Sequence, residues 1–209
     1  NLLKKCKVNI RVVFPKVSIV AMISYGFLDE AKDGLKTLYD QLDNTAKNDI
    51  IVGIEPSEVL VWRDEAKSLL NDNPPNVLLF EEMLLKLDLL SVLPKFNAIQ
   101  SKVWVYEHCH QKALTTTESL IKSIKLIPEI QFEIIEGGCC GMAGDFGYKH
   151  SKISEKIAHN SLGAYMKKIN SCDVLIATGV SCRRQILDIF RFQSNHLVQL
   201  FSRSLRNKC

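Results

Sequence analysis

The chain has 209 residues, 46% of them apolar and 24% charged, a composition that is typical of a globular domain and excludes an intrinsically disordered protein. Lysine and arginine number 27 against 23 acidic residues, and the slight net charge of +4 does not indicate a protein that binds nucleic acid or a membrane surface. No apolar run approaches the roughly 18 to 20 residues that a membrane span needs, and the first residues do not show the basic-then-apolar pattern expected of a signal peptide. Because the sequence begins with Asn1 rather than Met, we expect a fragment or a processed product.

The first half of the chain alternates strand and helix patterns. β-Branched and polar residues alternate over residues 8–14, which predicts a strand, and the apolar spacing after Gly26 predicts an amphipathic helix. Residues 50–54 form a short apolar run typical of a buried strand, after which Ser57 is expected to cap a helix. Residues 77–93 are rich in leucine and predict a further helix.

The second half repeats this alternation. Its predicted strands are residues 102–106, 131–135 and 173–177. Its predicted helices are residues 111–127, residues 153–169 and one that begins at Ser181. Strands that alternate with helices predict an α/β fold with a largely parallel sheet.

The two halves also resemble each other in pattern. Residues 51–58 match residues 175–182 position for position, and this match predicts two pseudo-repeated strand–helix units, residues 1–97 and residues 98–209. In this alignment three cysteines of the second half have no counterpart in the first half. Glu58 occupies the position of Cys182, and Ser18 and Ile19 occupy the positions of Cys139 and Cys140. The second unit is therefore expected to carry the chemistry.

Cysteine usage points to a reduced, cytoplasmic chain. Seven cysteines are an odd number, and they are too unevenly placed for a secreted disulfide framework. Four of them lie where a predicted strand ends, and these are Cys109, Cys139, Cys140 and Cys182. Because the carboxyl ends of parallel strands meet at one edge of a sheet, four thiols there could hold an iron–sulfur cluster or zinc. The alternative is that they are small apolar core residues.

The surroundings of the four cysteines favour metal chemistry. Cys182 would lie in the first turn of its helix, where the helix dipole and the charges of Arg183 and Arg184 favour a thiolate. The glycines of the Cys-Cys loop, Gly138 and Gly141, expose backbone N–H groups to cluster sulfur. Adjacent cysteines suit two metals of one cluster better than one tetrahedral ion, which favours iron–sulfur.

Other candidates remain open or have simpler explanations. His108 and His110 flank Cys109 and are either further ligands, donors to the ligands, or ordinary loop histidines. Glu55 and Glu58 lie near a helix start, where capping and solvated charge explain them more simply than acid–base catalysis. The remaining cysteines have no matching partners and are interpreted as bystanders, namely Cys6, Cys172 and Cys209.

Three motifs of the second half resemble one family. They are His-Cys-His-Gln-Lys-Ala-Leu (108–114), Gly-Cys-Cys-Gly-Met-Ala-Gly (138–144) and Thr-Gly-Val-Ser-Cys-Arg (178–183). These residues resemble the cysteine-rich CCG domain, which is found in heterodisulfide reductase, in anaerobic glycerol-3-phosphate dehydrogenase and in the iron–sulfur protein of glycolate oxidase. Within that family the chain is most similar to the C-terminal region of FAD-linked D-2-hydroxy acid dehydrogenases of the D-2-hydroxyglutarate type.

The resemblance implies a role in electron transfer. It implies that Cys109, Cys139, Cys140 and Cys182 hold an iron–sulfur cluster, with FAD-binding and ferredoxin-like domains as partners and a small 2-hydroxy acid as the indirect substrate. The family's first repeat normally carries its own Cys-Cys-Gly, where this chain has residues 18–20. In many members the last motif is Cys-x-x-Cys, where this chain has Gln185 as the final residue. One site of four cysteines is therefore expected, in a module that is not a complete enzyme alone. The alternatives are a zinc-holding structural or assembly domain and a redox-inert relic.

Overall fold

The computed structural model describes residues 2–43 and 49–205. The strands of this part of the chain are β1 (Ile51–Val52), β2 (Val77–Leu78), β3 (Val103–Tyr106), β4 (Phe132–Ile134) and β5 (Val174–Ala177). Its helices are α1 (Leu2–Lys5), α2 (Ile19–Tyr25), α3 (Leu28–Asp43), α4 (Pro56–Val61), α5 (Glu65–Leu70), α6 (Phe80–Leu89), α7 (Cys109–Leu114), α8 (Thr117–Ile124), α9 (Phe146–Lys149), α10 (Ser151–Met166), α11 (Val180–Phe190) and α12 (Leu197–Ser204). None of these helices is long and apolar enough to cross a membrane.

The strands form two parallel sheets, which confirms the predicted α/β fold. In the first half, β1 pairs with β2. In the second half the strand order is β4-β3-β5, and Val103 lies opposite both Phe132 and Val174. Every residue of β3 and β5 is buried, since helices cover both faces of the sheet, and this burial explains why both strands are continuous apolar runs.

The largest apolar cluster joins the two halves of the chain. Phe201 of α12 packs edge-on against Phe80 of α6 and Phe96, with ring centroids 5.8 and 5.1 Å apart. Leu84 of α6 lies in the same cluster as Val105 of β3. Helix α6 therefore belongs to the first half in sequence and to the second half in packing.

Four of the predicted elements are wrong in detail. Residues 8–14 form no strand, because no neighbouring strand pairs with them in the described structure, and Phe14 is 81% exposed. Glu55, not Ser57, occupies the N-cap of α4. The predicted helix 77–93 begins with strand β2. The predicted helix 111–127 is divided into α7 and α8 by two β-branched threonines in extended conformation, Thr115 and Thr116.

Equivalent elements follow one another in the two halves. Helix α4 follows β1 as α11 follows β5, with Ser57 and Ser181 each the second residue of its helix. The next segment pairs in parallel in both cases, as β2 in the first half and through Asn195 in the second. Each pairing segment leads into a helix whose third residue accepts a hydrogen bond from the N-cap amide, at distances of 2.8 Å in α6 and 2.7 Å in α12. These correspondences support the proposal of two pseudo-repeated units.

Candidate metal centre

The parallel order of the sheet brings the candidate cysteines to one edge. Cys109 is the first residue of α7 and follows β3, the central strand. Cys139 and Cys140 lie in the loop after β4, and Cys182 is the third residue of α11, after β5. Because β4 and β5 both pair in parallel with β3, all three connections leave the sheet at the same edge.

The four thiols are neighbours in a row, which we call the thiol row. Cys139 contacts Cys109 on one side and Cys140 on the other, and Cys140 contacts Cys182. Burial increases along the row, from the exposed Cys109 through the half-buried Cys139 to Cys140 and Cys182, which are 3% and 1% exposed. The row therefore runs from solvent into the core beside β5.

One thiolate is favoured in this row. Hydrogen bonds from Cys109 and Cys140 lower the pKa of Cys139, and the N–H of Gly141 donates to its Sγ at 3.3 Å. The same contacts raise the pKa of Cys109 and of Cys140, since each of their protons is held by a neighbouring sulfur. A metal bound by the whole row would have to displace these protons, and its affinity would increase with pH.

The four sulfurs are not arranged around a single tetrahedral ion. A tetrahedral zinc site, with Zn–S distances of about 2.3 Å, places all four sulfurs about 3.8 Å apart. All four cysteines lie in the described part of the chain, and no three of their sulfurs lie within 4.8 Å of one another. If the four cysteines were only packed core residues, Cys109 would be buried, yet it is exposed. The donor set therefore fits a polynuclear thiolate cluster.

The two flanking histidines point in different directions. Burial, followed by the charge of His110, lowers the pKa of His108 to about 4, and its buried Nδ1 has no hydrogen-bond partner. His108 therefore brings a neutral imidazole with a free nitrogen to the edge of the site. His110 instead lies near the first half, where one of its ring nitrogens is within 4.8 Å of carboxylate oxygens of Asp64 and Glu65.

The predicted cofactor-binding residues hold the shape of the site. The carbonyl oxygen of Gly138 accepts a hydrogen bond from the hydroxyl of Tyr106 at 2.5 Å. Gly141 has φ +91°, and a Cβ there would lie 2.5 Å from the carbonyl oxygen of Ser154. Arg183 turns back to the end of β5, where its Nη1 donates to the carbonyl oxygens of Ala177 and Thr178, each at 2.9 Å. The Arg183 guanidinium group therefore holds the carboxyl end of β5 in place beside the site.

Tyr106 is a site residue that the sequence analysis missed. Its ring is fully buried, and burial, with further contributions from Cys182 and Cys140, raises the pKa of its hydroxyl. The tyrosine therefore stays neutral and supplies a hydroxyl that holds the Cys-Cys loop through Gly138. One sequence signal could have identified Tyr106: it is the last residue of an apolar strand and lies two positions before His108.

A buried polar chain links the site to the first half. The side-chain amide of Gln111 donates to Glu81, a residue of α6. The amide oxygen of Gln111 accepts from the Thr178 hydroxyl at 3.1 Å, and the Thr178 hydroxyl oxygen accepts from the backbone N–H of His108 at 2.9 Å. Burial raises the pKa of Glu81 to about 7. The orientation of His108 and Cys109 therefore depends on a carboxyl group of α6.

The corresponding position in the first half is closed without thiols. The carboxylate of Glu58, the third residue of α4, accepts hydrogen bonds from the Ser18 hydroxyl and from the backbone N–H of Ile19. These are the residues that align with Cys182, Cys139 and Cys140. A hydrogen-bonded carboxylate thus joins helix and loop where the second half has sulfur.

Of the bystander cysteines, Cys6 is buried and Cys172 exposed, and Cys209 lies outside the described residues.

The chain is an α/β protein with a cysteine-rich sheet edge, and the curated proteins to which its sequence is similar are dehydrogenases. It is 32% identical over 187 residues to the D-2-hydroxyglutarate dehydrogenase of Escherichia coli K12, a match covering 83% of this chain and 17% of the relative. It is 30% identical over 198 residues to the Haemophilus influenzae protein of the same name, covering 86% of this chain and 18% of the relative.

A more distant similarity links the chain to a second dehydrogenase. One subunit of the anaerobic glycerol-3-phosphate dehydrogenase of Escherichia coli K12 is 22% identical over 199 residues, which are 89% of this chain and 48% of the relative. The chain therefore spans less than a fifth of the D-2-hydroxyglutarate dehydrogenases and about half of the glycerol-3-phosphate dehydrogenase polypeptide. No family model and no solved structure matches it significantly.

Gly141→Ala should destabilise the protein by about 3 kcal/mol. Alanine disfavours the left-handed backbone conformation of this position, and its Cβ would overlap the Ser154 carbonyl oxygen. Gly144 is the matched control, because its φ is +66° and a Cβ there would meet nothing within 4 Å. Gly144→Ala should cost only about 1 kcal/mol. Urea unfolding of both variants measures the difference, and equal losses would show that the contact with Ser154 does not constrain the loop.

Glu81→Gln should become increasingly stabilising as pH rises, because the raised pKa of Glu81 makes wild-type stability fall between its unfolded value of 4.5 and its folded value of about 7. Below pH 4.5 both side chains are neutral, and the variants should match. Above pH 8 the glutamine variant should be more stable by roughly 3 kcal/mol. Unfolding free energies from pH 4 to 8 test this, with Glu118→Gln as the control because Glu118 is exposed and paired with Lys122. A difference independent of pH would contradict the assignment.

Proposed function

We propose that the chain is an iron–sulfur electron-transfer module of the CCG type within a flavin-dependent 2-hydroxy acid dehydrogenase of a reducing compartment such as the cytoplasm. The observation that carries the proposal is the thiol row at one sheet edge, in a chain similar to part of D-2-hydroxyglutarate dehydrogenases. The substrate would be a small 2-hydroxy acid, oxidised on an FAD-binding domain, with a ferredoxin-like domain as the other partner.

Cys109, Cys139, Cys140 and Cys182 would hold the cluster. An iron–sulfur cluster supplies one-electron transfer when it is bound. The chain's own residues exclude water from the inner end of the row, where Cys140 and Cys182 are buried. Gly141 supplies an N–H to the Cys139 sulfur, and a hydrogen bond to cluster sulfur is a means by which proteins adjust reduction potential. His108 keeps a free neutral nitrogen at the same edge, which is available as a donor or ligand.

A zinc-holding structural domain is the competing function. The arrangement of the sulfurs argues against it, since no three of them lie within 4.8 Å of one another, as a tetrahedral site requires. Anaerobic purification distinguishes the two functions through visible absorption and metal analysis. Several irons per chain with iron–sulfur absorption are expected, whereas one zinc per chain without visible absorption would favour the structural domain. An FAD-binding domain encoded upstream of Asn1 would further support the dehydrogenase assignment.

Cys182→Ser should remove or labilise the cluster, because serine keeps the size of the side chain but lacks the soft ligand atom. Iron per chain and the melting midpoint should be measured on the same sample. Cys172→Ser is the matched control, since Cys172 is exposed and lies away from the row. Because Cys182 is buried, the hydroxyl should cost about 1 to 3 kcal/mol in either case, and the iron content decides whether the thiol is a ligand. A destabilised variant with full iron content would refute the ligand assignment.

A further inference from the structure

The helix that carries Cys182 does not cap its own N-terminus. Its N-cap is Gly179, which has no side chain to accept a hydrogen bond from the first turn. A Cβ at this position would overlap Cδ2 of the His108 ring and lie 3.3 Å from the Cys182 sulfur. The usual capping residues, serine, threonine, aspartate and asparagine, are therefore excluded at position 179 by the site itself.

A carboxylate of the first half supplies the missing cap. Oε2 of Glu55 accepts a hydrogen bond at 3.0 Å from the backbone N–H of Val180, the first residue of α11. Glu55 is itself the N-cap of α4, yet its side chain makes no capping hydrogen bond there. Ser57 donates to its other oxygen at 3.2 Å, and Nη2 of Arg183 lies 3.9 Å from Oε2. The carboxylate is thus held between the two halves and directed at α11.

The neighbouring backbone is fixed to the second half as well. The carbonyl oxygen of Ile54 lies 3.1 Å from Nε2 of His196, the N-cap residue of α12. Residues 54 and 55 therefore contact the N-termini of two helices. These are α11, which follows β5, and α12, which follows Asn195, the residue that bridges to β5. This double contact orients Glu55 independently of its own helix.

We propose that Glu55 is a positioning residue for the cysteine site, through which the first half takes part in its function. Its carboxylate caps α11, fixes the first turn that carries Cys182, and places a negative charge beside the sulfurs. This last effect rests on the proposed iron–sulfur function. The free N–H groups of α11 present a positive field to the site, which favours the more negative, reduced form of a cluster. Glu55 offsets that field and lowers the reduction potential.

The cap is tested in the metal-free full chain by hydrogen exchange at the Val180 amide. Glu55→Ala should speed exchange there roughly fivefold to tenfold, because the Glu55 oxygen is the acceptor for this N–H. Glu55→Gln retains an oxygen acceptor and should retain most of the protection. Glu58→Gln is the matched control, since Glu58 is a carboxylate of the same helix whose partners, Ser18 and Ile19, lie in the first half. Unchanged exchange in Glu55→Ala would overturn the cap.

The charge effect is tested on the reconstituted protein by redox titration. Glu55→Gln should shift the midpoint potential to more positive values than wild type, whereas Glu58→Gln should leave it unchanged. A potential that does not move in Glu55→Gln would overturn the electrostatic role. If the wild-type chain binds no iron, the iron–sulfur function fails, and the exchange measurement still decides whether Glu55 positions the Cys182 helix.

Discussion

The parallel pairing of β3 with both of its neighbours is the constraint on which the site depends. The four candidate thiols come from three segments that lie far apart in the sequence, and no local structure could bring them together. Because β4 and β5 run in the direction of β3, each segment leaves the sheet at the same edge. The burial of β3 and β5 by helices on both faces fixes the register, and the register fixes which residues meet.

The two halves join helix and loop by different chemistry at equivalent places. In the first half, Glu58 accepts hydrogen bonds from Ser18 and Ile19, and these contacts are complete with protein atoms alone. In the second half the corresponding side chains are neighbouring thiols. The carboxylate of Glu58 has protein partners for its oxygens, whereas thiols are ligands for soft metals. This difference supports the proposal that the second half carries the chemistry.

The features predicted correctly from the sequence are those encoded locally. The runs around Val103–Tyr106 and Val174–Ala177 are apolar throughout, as strands buried on both faces must be, and the Gly-Cys-Cys-Gly loop lies at the predicted sheet edge. Residues 8–14 carry an equally good alternating pattern but have no partner strand in the described structure, and pattern alone does not reveal whether a partner exists. The side chain of Glu55 was interpreted as a local cap, yet it serves a helix 125 residues away. Contacts of that kind depend on how the halves pack.

The shared core around Phe201 has a consequence for how such a chain tolerates change. Helix α6 supplies Phe80 and Leu84 to a cluster that also contains Val105, and none of the four thiols belongs to this cluster. The four thiols can therefore be substituted without removing an apolar contact from this cluster, whereas deletion of helix α6 would strip apolar surface from the sheet of the second half. We therefore expect helix α6 to be needed for folding of the second half, even though the four candidate thiols lie elsewhere.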